Sequence, residues 1–385
     1  MRTFDVPSAP AFWQDPHSFF SSSETAQGGV FASGDGAVSV LGFDALDQLG
    51  RNPALDGHPF PAGGMGSPGL DALLRWGLFA LTAPEHQPLR RAVAAGFGAR
   101  RIETLLPLLR RAAVEHCREA ARRGQADLVH DVAAPLAGLA FCALVDLEPL
   151  QAGALVAAVE EIGRQLSPDS APDGTEAAGQ QAEAVLEMLR ALEAAGASPL
   201  MRDIAERLPP DTPARPADLV AALVLDSIET MTAGLACALD CLLRQSGVAE
   251  AVAADRYGWP LAVQEAFRLT SPVLLTARMA QADIAWQDDI IRRGTTVMLW
   301  WPSGNVDPRR FERPFTFEPL RPQARHLAFG TGSHSCLGRQ LAAMLAEELA
   351  AALLPKEGQR AIRIGETVFL QRFARLPREA PIRFA

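Results

Sequence analysis

The sequence predicts a mainly α-helical domain with small β-sheets, built around one long apolar helix. Three observations carry this. Ala and Leu dominate long stretches, and both favour helix. The segment from Leu219 to about Leu243 is apolar on nearly all sides, as expected of a helix that runs through the middle of a core. Short β-like runs are confined to the N-terminal part and the last third of the chain.

The elements follow in order. Residues 1–70 are rich in Pro, Gly and Ser, with strand-like pieces such as Val38-Ser39-Val40-Leu41. Helical patterns then cover 71–80, 88–123, 127–146, 151–165, 175–207 and 216–246. Pro216 suits a first helical position, and Asp218 places a carboxylate in the first turn, where the helix dipole favours it. A shorter helix covers about 260–270. Two β-like segments follow, Val273–Met279 and Thr295–Trp301, then a Pro-rich meander from Pro302 to Arg325. A helix from Leu337 to about Leu354 and a β-like tail from Ala361 to Ala385 close the chain. No Ser/Gly linker, internal repeat or low-complexity tract interrupts this order. The chain therefore reads as one domain, 1–385, with a β-rich part (1–70), a helical part (71–270) and a part holding the β segments, meander and final helix (271–385).

Composition excludes several functions. With 48% hydrophobic residues in 385, the chain can bury a large core. A net charge of −9 argues against nucleic-acid binding. No apolar run reaches membrane-spanning length, and Met1 to Pro10 lacks a signal-peptide core, which predicts a cytoplasmic protein with no membrane partner. Five widely spaced cysteines do not form a disulfide framework.

The chemistry concentrates in Phe329-Gly330-Thr331-Gly332-Ser333-His334-Ser335-Cys336-Leu337-Gly338. Its glycines let the backbone turn tightly and approach a flat ligand. Cys336 falls at a helix start, where free N–H groups favour a thiolate. A lone thiolate is a poor zinc or iron–sulfur site, since those need several ligands. It does suit the proximal position of a haem. Cys237 and Cys241, by contrast, read as small core hydrophobes.

This segment resembles the haem-binding signature of the cytochromes P450, Phe-x-x-Gly-x-His/Arg-x-Cys-x-Gly, and the likeness extends over most of the chain in the right order. The resemblance implies the P450 fold, with a long central helix over haem b, in its soluble bacterial form. It implies Cys336 as the iron ligand, cradled by Phe329, Gly330 and Gly338. Pro84-Glu85-His86-Gln87-Pro88-Leu89-Arg90 resembles the stretch that holds haem propionates, so His86 and Arg90 take that role, joined by Arg278 and His334. Glu265 and Arg268, three apart on one helix face, resemble the family's Glu-x-x-Arg lock and are read as structural. Glu229-Thr230 resembles the acid–alcohol pair that passes protons to dioxygen.

Asp226 departs from the pattern. It lies one turn before Thr230, where the family keeps a small residue, so it places a carboxylate over the haem. Four readings stay open: a partner for a cationic substrate group, an extension of the proton relay, an ester to a haem methyl, or a helix distortion facing water. Milder departures are Val306 in the meander and the run Leu341-Ala342-Ala343-Met344-Leu345.

The function implied is a monooxygenase that takes electrons from a separate ferredoxin or flavodoxin with its reductase, activates O2 and oxidises a largely hydrophobic small molecule. Hydroxylation is the usual outcome. A peroxide-driven peroxygenase, a non-oxygenating haem enzyme and a haem sensor without turnover are the alternatives. The pocket is expected to draw on the 60–80 loop, the helices at 150–205, the central helix, and segments 273–275 and 368–373. Phe79, Ala222, Leu225, Asp226, Val273, Leu275 and Phe369 are the expected lining. Arg100, Arg101, Arg110, Arg111, Arg321 and Arg339 are expected to form a basic docking patch.

Overall fold

The computed structural model describes residues 1–4, 10–20, 27–57, 64–167, 170, 174–322, 325–372 and 374–385. Residues 60–63 of the expected pocket loop, and Phe373, lie outside the described residues.

The central helix runs from Pro216 to Arg244 and packs against helices Ala134–Val145, Ala152–Gln165, Thr175–Ala194, Trp259–Thr270 and Arg339–Leu353. Pro216 is at its start and Asp218 in its first turn. Apolar residues from all sides of it are buried, which is why its composition shows so little amphipathic pattern. The central helix and the helical segment Leu128–Val145 are each long and apolar enough to cross a membrane, contrary to the sequence expectation. Within those windows 67% and 72% of residues are buried against other elements, so their apolarity is used in the core.

Two expected helices are each split. The segment 88–123 forms helices His86–Ala94 and Ala99–Arg123, joined by a tight turn at Ala95–Phe97. The segment 175–207 forms Thr175–Ala194 and Pro199–Arg207, because Gly196 takes φ +62° and Pro199 begins a new helix. Local glycines and a proline outweigh the Ala/Leu periodicity at both breaks.

A mixed six-stranded sheet flanks the helices, in the order Arg2–Thr3, Gly29–Ala32, Val38–Leu41, Thr296–Trp300, Leu275–Ala280, Leu55–Asp56. Leu55–Asp56 is an edge strand whose Asp56 pairs in register with Met279, next to Arg278. The N-terminal part also carries short helices, Pro10–Gln14, Pro16–Phe20 and Phe43–Leu49, that the sequence reading missed. The first two bring Phe12 and Phe20 against Trp300, where Phe4, just after the first strand, joins them. Trp301, expected to end a strand, begins a short helix to Asn305. In the tail, Ala361–Arg363 and Pro381–Phe384 form a sheet with Gln125–Asp127. Val368–Phe369 pairs with Pro377–Glu379 as a separate hairpin that reaches back toward the central helix.

Candidate active site

The cysteine loop is held by backbone contacts at both ends. Asn305 Oδ1 accepts the Leu327 N–H at 2.6 Å, and Phe329 C=O accepts the Cys336 N–H at 2.9 Å. Gly330 and Gly332 take φ of +66° and +71°. A Cβ on Gly332 would lie 2.3 Å from the Gly50 carbonyl oxygen, so only glycine fits this close approach. The following helix starts at Arg339, two residues later than expected. Burial pushes the Cys336 thiol up, while the N–H groups of Gly338 and Arg339 and the charges of Arg90 and Arg339 act the other way. Cys336 is exposed by surface area, and that surface faces a cavity. Cys117, Cys142, Cys237 and Cys241 are buried and packed, with thiols pushed up by burial to about 12, 11, 12 and 12.

The cavity holds 720 Å³ between the cysteine loop and the central helix. Cys336, Phe329, Gly330, Gly338 and His334 line one wall, with Arg90 and Arg278 beside them. Asp226, Glu229, Thr230 and Leu225 of the central helix face them, and Phe79, Val273 and Leu275 complete the expected set. Three expected residues are not on the lining. Ala222 is buried within the helical core. Phe369 lies under the Arg375 guanidinium, 3.9 Å from its ring centre, with its N–H held by Gln14. His86 is buried behind His334, their rings stacked at 3.9 Å.

One polar cluster forms the edge of this wall. His334 Nε2 meets Asp56 Oδ1 at 2.5 Å, and Asp56 also accepts the N–H groups of Gly57 (3.0 Å) and Ala83 (2.9 Å). Burial pushes Asp56 up, but these bonds outweigh it and hold the carboxyl below its usual range. Burial, with the charge of His334, pushes His86 down to about 4. Asp56, His86 and His334 bring possible ligand atoms within 4.8 Å of one another. The stacked rings and the bonds already made by Asp56 describe a hydrogen-bonded chain better than ligands converging on an ion. Asp56 was missed by sequence reasoning, because its partner is 278 residues away.

On the opposite wall the hydroxyls turn inward. Thr230 Oγ1 donates to the Asp226 carbonyl at 2.7 Å, and Ser227 Oγ donates to the Leu223 carbonyl. Glu229 pairs with Arg372 Nη1 at 2.9 Å. Burial raises Glu229, and Arg372 offsets part of that. A Cβ on Gly163 would lie 2.0 Å from Glu229 Oε2, so the glycine makes room for this carboxylate. Arg372 also lines the cavity and was missed by sequence reasoning, because nothing local sets it apart from the other arginines of the β-like tail. Asp226 has no ion pair or hydrogen bond through its carboxylate among the described residues, and burial pushes it up to about 8.

Glu265 and Arg268 form a buried bidentate pair, both bonds at 2.8 Å. Arg268 also donates to the carbonyls of Asn305 and Pro314, each at 2.7 Å, which ties the helix to the meander. Arg321 joins the pair, 3.0 Å from Glu265, and is only 7% exposed. That corrects the expectation of Arg321 in a surface patch. Arg101 and Arg110 are engaged by Asp146 (2.7 Å) and Glu348 (2.6 Å), which leaves Arg100, Arg111 and Arg339 as exposed cations.

Comparison with known proteins gives these features a family. A family model described as cytochrome P450 matches residues 260–356. The chain is 28% identical to a putative cytochrome P450 133B2 of Xylella fastidiosa over 359 residues, covering 89% of this chain and 88% of the relative. It is 26% identical to the 6-deoxyerythronolide B hydroxylase of Saccharopolyspora erythraea, covering 70% of this chain and 68% of that protein. Its fold matches P450BioI, solved with a hexadec-9Z-enoic acid-ligated acyl carrier protein, at a TM-score of 0.88 and 20% identity, covering 97% of this chain and 100% of that one. In sequence and in fold the chain is similar to cytochromes P450. It is a P450 monooxygenase, and its cofactor is haem b.

The residues of this P450 fit that cofactor. Arg90 and Arg278 line the cavity with no ion pair to any described residue, and burial pushes Arg278 down to about 10. His86 Nε2 and Thr276 Oγ1 are buried without partners, Thr276 lying on the strand of Arg278. Two uncompensated guanidinia and the orphaned Thr276 hydroxyl, all three on the lining, suit the carboxylates of a porphyrin. A thiol flanked by N–H groups and arginines suits its iron.

Proposed function

We propose that this P450 hydroxylates a largely hydrophobic small molecule, with electrons from a separate ferredoxin or flavodoxin and its reductase. The observation that carries the proposal is a single cavity, mostly apolar, with a thiol and two unpaired guanidinia on one wall and an acid, a hydroxyl and a second acid on the other. Bound there, haem supplies reductive activation of dioxygen.

Cys336 is the iron ligand, and Arg90, Arg278 and His334 hold the propionates, with His86 stacked behind His334 and Asp56 fixing it. Phe79, Leu225, Val273 and Leu275 give the substrate an apolar wall, which excludes water. Glu229 collects protons at its carboxylate. Its pair with Arg372 keeps it at the inner end of that route until it turns toward Thr230, whose hydroxyl oxygen hands protons on. Glu265, Arg268 and Arg321 hold the meander behind the cysteine loop and take no part in chemistry. The electron donor docks on the exposed side carrying Arg100, Arg111 and Arg339, and steering by these charges makes electron transfer weaken with salt.

Turnover of a bound hydrophobic substrate with a ferredoxin–reductase pair, compared with peroxide alone, tests the reading. Product with reductase, largely lost in Thr230→Ala while peroxide release rises, is the expected result. Product with peroxide alone, at equal rates in wild type and Thr230→Ala, contradicts it.

A further inference from the structure

The stretch Asp226-Ser227-Ile228-Glu229-Thr230 presents an unusual set of polar atoms to the cavity. The Ser227 hydroxyl proton is spent on the Leu223 carbonyl and the Thr230 proton on the Asp226 carbonyl. Their oxygens keep lone pairs, so both hydroxyls act here as acceptors. The Asp226 carboxylate adds two more acceptor oxygens and has no partner among the described residues. The other charges on the lining are occupied or lie on the haem side. Glu229 is taken by Arg372, Arg90 leans on the Ser335 carbonyl beside Cys336, and His334 is bonded to Asp56. This patch of central helix therefore offers acceptor oxygens and a carboxyl group with no compensating charge, which burial keeps protonated until a cation or rising pH draws the proton off, inside an otherwise apolar chamber.

A carboxylate buried in this way is relieved by a proton or by a cation that arrives with the ligand. An anionic substrate would meet a like charge once Asp226 ionises, and the unpaired guanidinia of the lining, Arg90 and Arg278, lie on the haem side. A neutral apolar one would leave Asp226 unpaired. A protonated amine is all donor and no acceptor, the complement of what the helix presents. We infer that the substrate is an apolar molecule bearing a protonated aliphatic amine, whose N–H is received by Asp226 with the Ser227 and Thr230 oxygens beside it. Burial alone raises Asp226 to about 8. An aliphatic amine holds its proton more tightly still, at a pKa of about 10, so in the complex the proton stays on nitrogen. The inference rests on the proposed function only in taking this cavity as the substrate chamber.

Calorimetry on the haem-loaded protein tests it, with three probes that share a phenylbutyl body: the dimethylamine, the alcohol and the carboxylate. The tertiary amine is chosen because its crowded nitrogen is a poor iron ligand. Wild type is expected to bind the amine at least about tenfold more tightly than the alcohol, and the carboxylate weakest. Asp226→Asn keeps the side-chain shape and should bring the amine down to the alcohol's affinity, with the alcohol itself unchanged. Asp226→Glu keeps the charge and should keep the preference. Equal binding of amine and alcohol by wild type, no binding of the amine, or a preference that survives in Asp226→Asn overturns the inference. Absence of the thiolate signature in the carbon monoxide spectrum of the same preparation would instead tell against the proposed function, while the calorimetric result on the cation site still stands.

Discussion

Glu265 and Asp226 are both carboxylates deep in the helical core, and the protein surrounds them in opposite ways. Glu265 is 5% exposed and fully partnered: Arg268 takes both oxygens, Arg321 approaches at 3.0 Å, and the Glu318 N–H donates at 2.9 Å. Asp226 has none of this, although it is hidden from bulk water and opens on the cavity. A buried charge that is bonded on every side is structure, since it already has its partners. A buried charge with no partner needs something the chain does not contain.

The sharpest way to break the comparison is to unpair Glu265. Glu265→Ala leaves Arg268 buried without a carboxylate and Arg321 with only Glu318 at 3.4 Å, and should destabilise the protein by about 3–5 kcal/mol. Urea unfolding of the haem-loaded protein measures it. A loss near zero would mean the triad is no lock.

Asp226→Asn should act in the other direction and depend on pH. The folded carboxyl titrates near 8 and the unfolded one near 3.8, so the folded state holds the extra proton between those values. Its stability contribution is whole below pH 4 and is lost as pH rises toward 8. Relative to wild type, Asp226→Asn should thus be neutral near pH 4 and more stable at pH 8, on the order of 5 kcal/mol. Unfolding curves at both pH values check the sign, and a flat difference would show that Asp226 has a partner in solution.

A smaller effect is expected at the neighbouring acid. Gly163→Ala puts a Cβ 2.0 Å from Glu229 Oε2 and 3.1 Å from Arg372 Nη1, so the pair must shift. Stability should fall by about 1–2 kcal/mol. Peroxide released per electron pair consumed should rise a few-fold, while haem content stays at the wild-type level. Unchanged coupling would remove Glu229 from the proton route.

How legible these features were in the sequence follows from how local they are. The cysteine loop and the Glu265–Arg268 pair are set by neighbours within ten residues, and their spacing is visible in the chain. The central helix was legible because its apolarity is continuous. Arg321, Arg372 and Asp56 were not, because their partners are 56, 143 and 278 residues away and only the folded chain brings them together. Arg321 was even read as a surface cation, since nothing local marks an arginine as buried. Ala222 and Phe369 were assigned to the pocket from the segments that carry them. Which way each side chain points depends on packing: Phe369 is drawn under Arg375, and Ala222 into the helical core.

The central claim is that Cys336 alone supplies the thiolate to the haem of this P450. The reduced carbon monoxide complex reads that bond directly. Wild type and Cys237→Ser should show the red-shifted Soret band of thiolate ligation, and Cys336→Ser should lose it. A Cys336→Ser protein whose spectrum matches wild type would contradict the account.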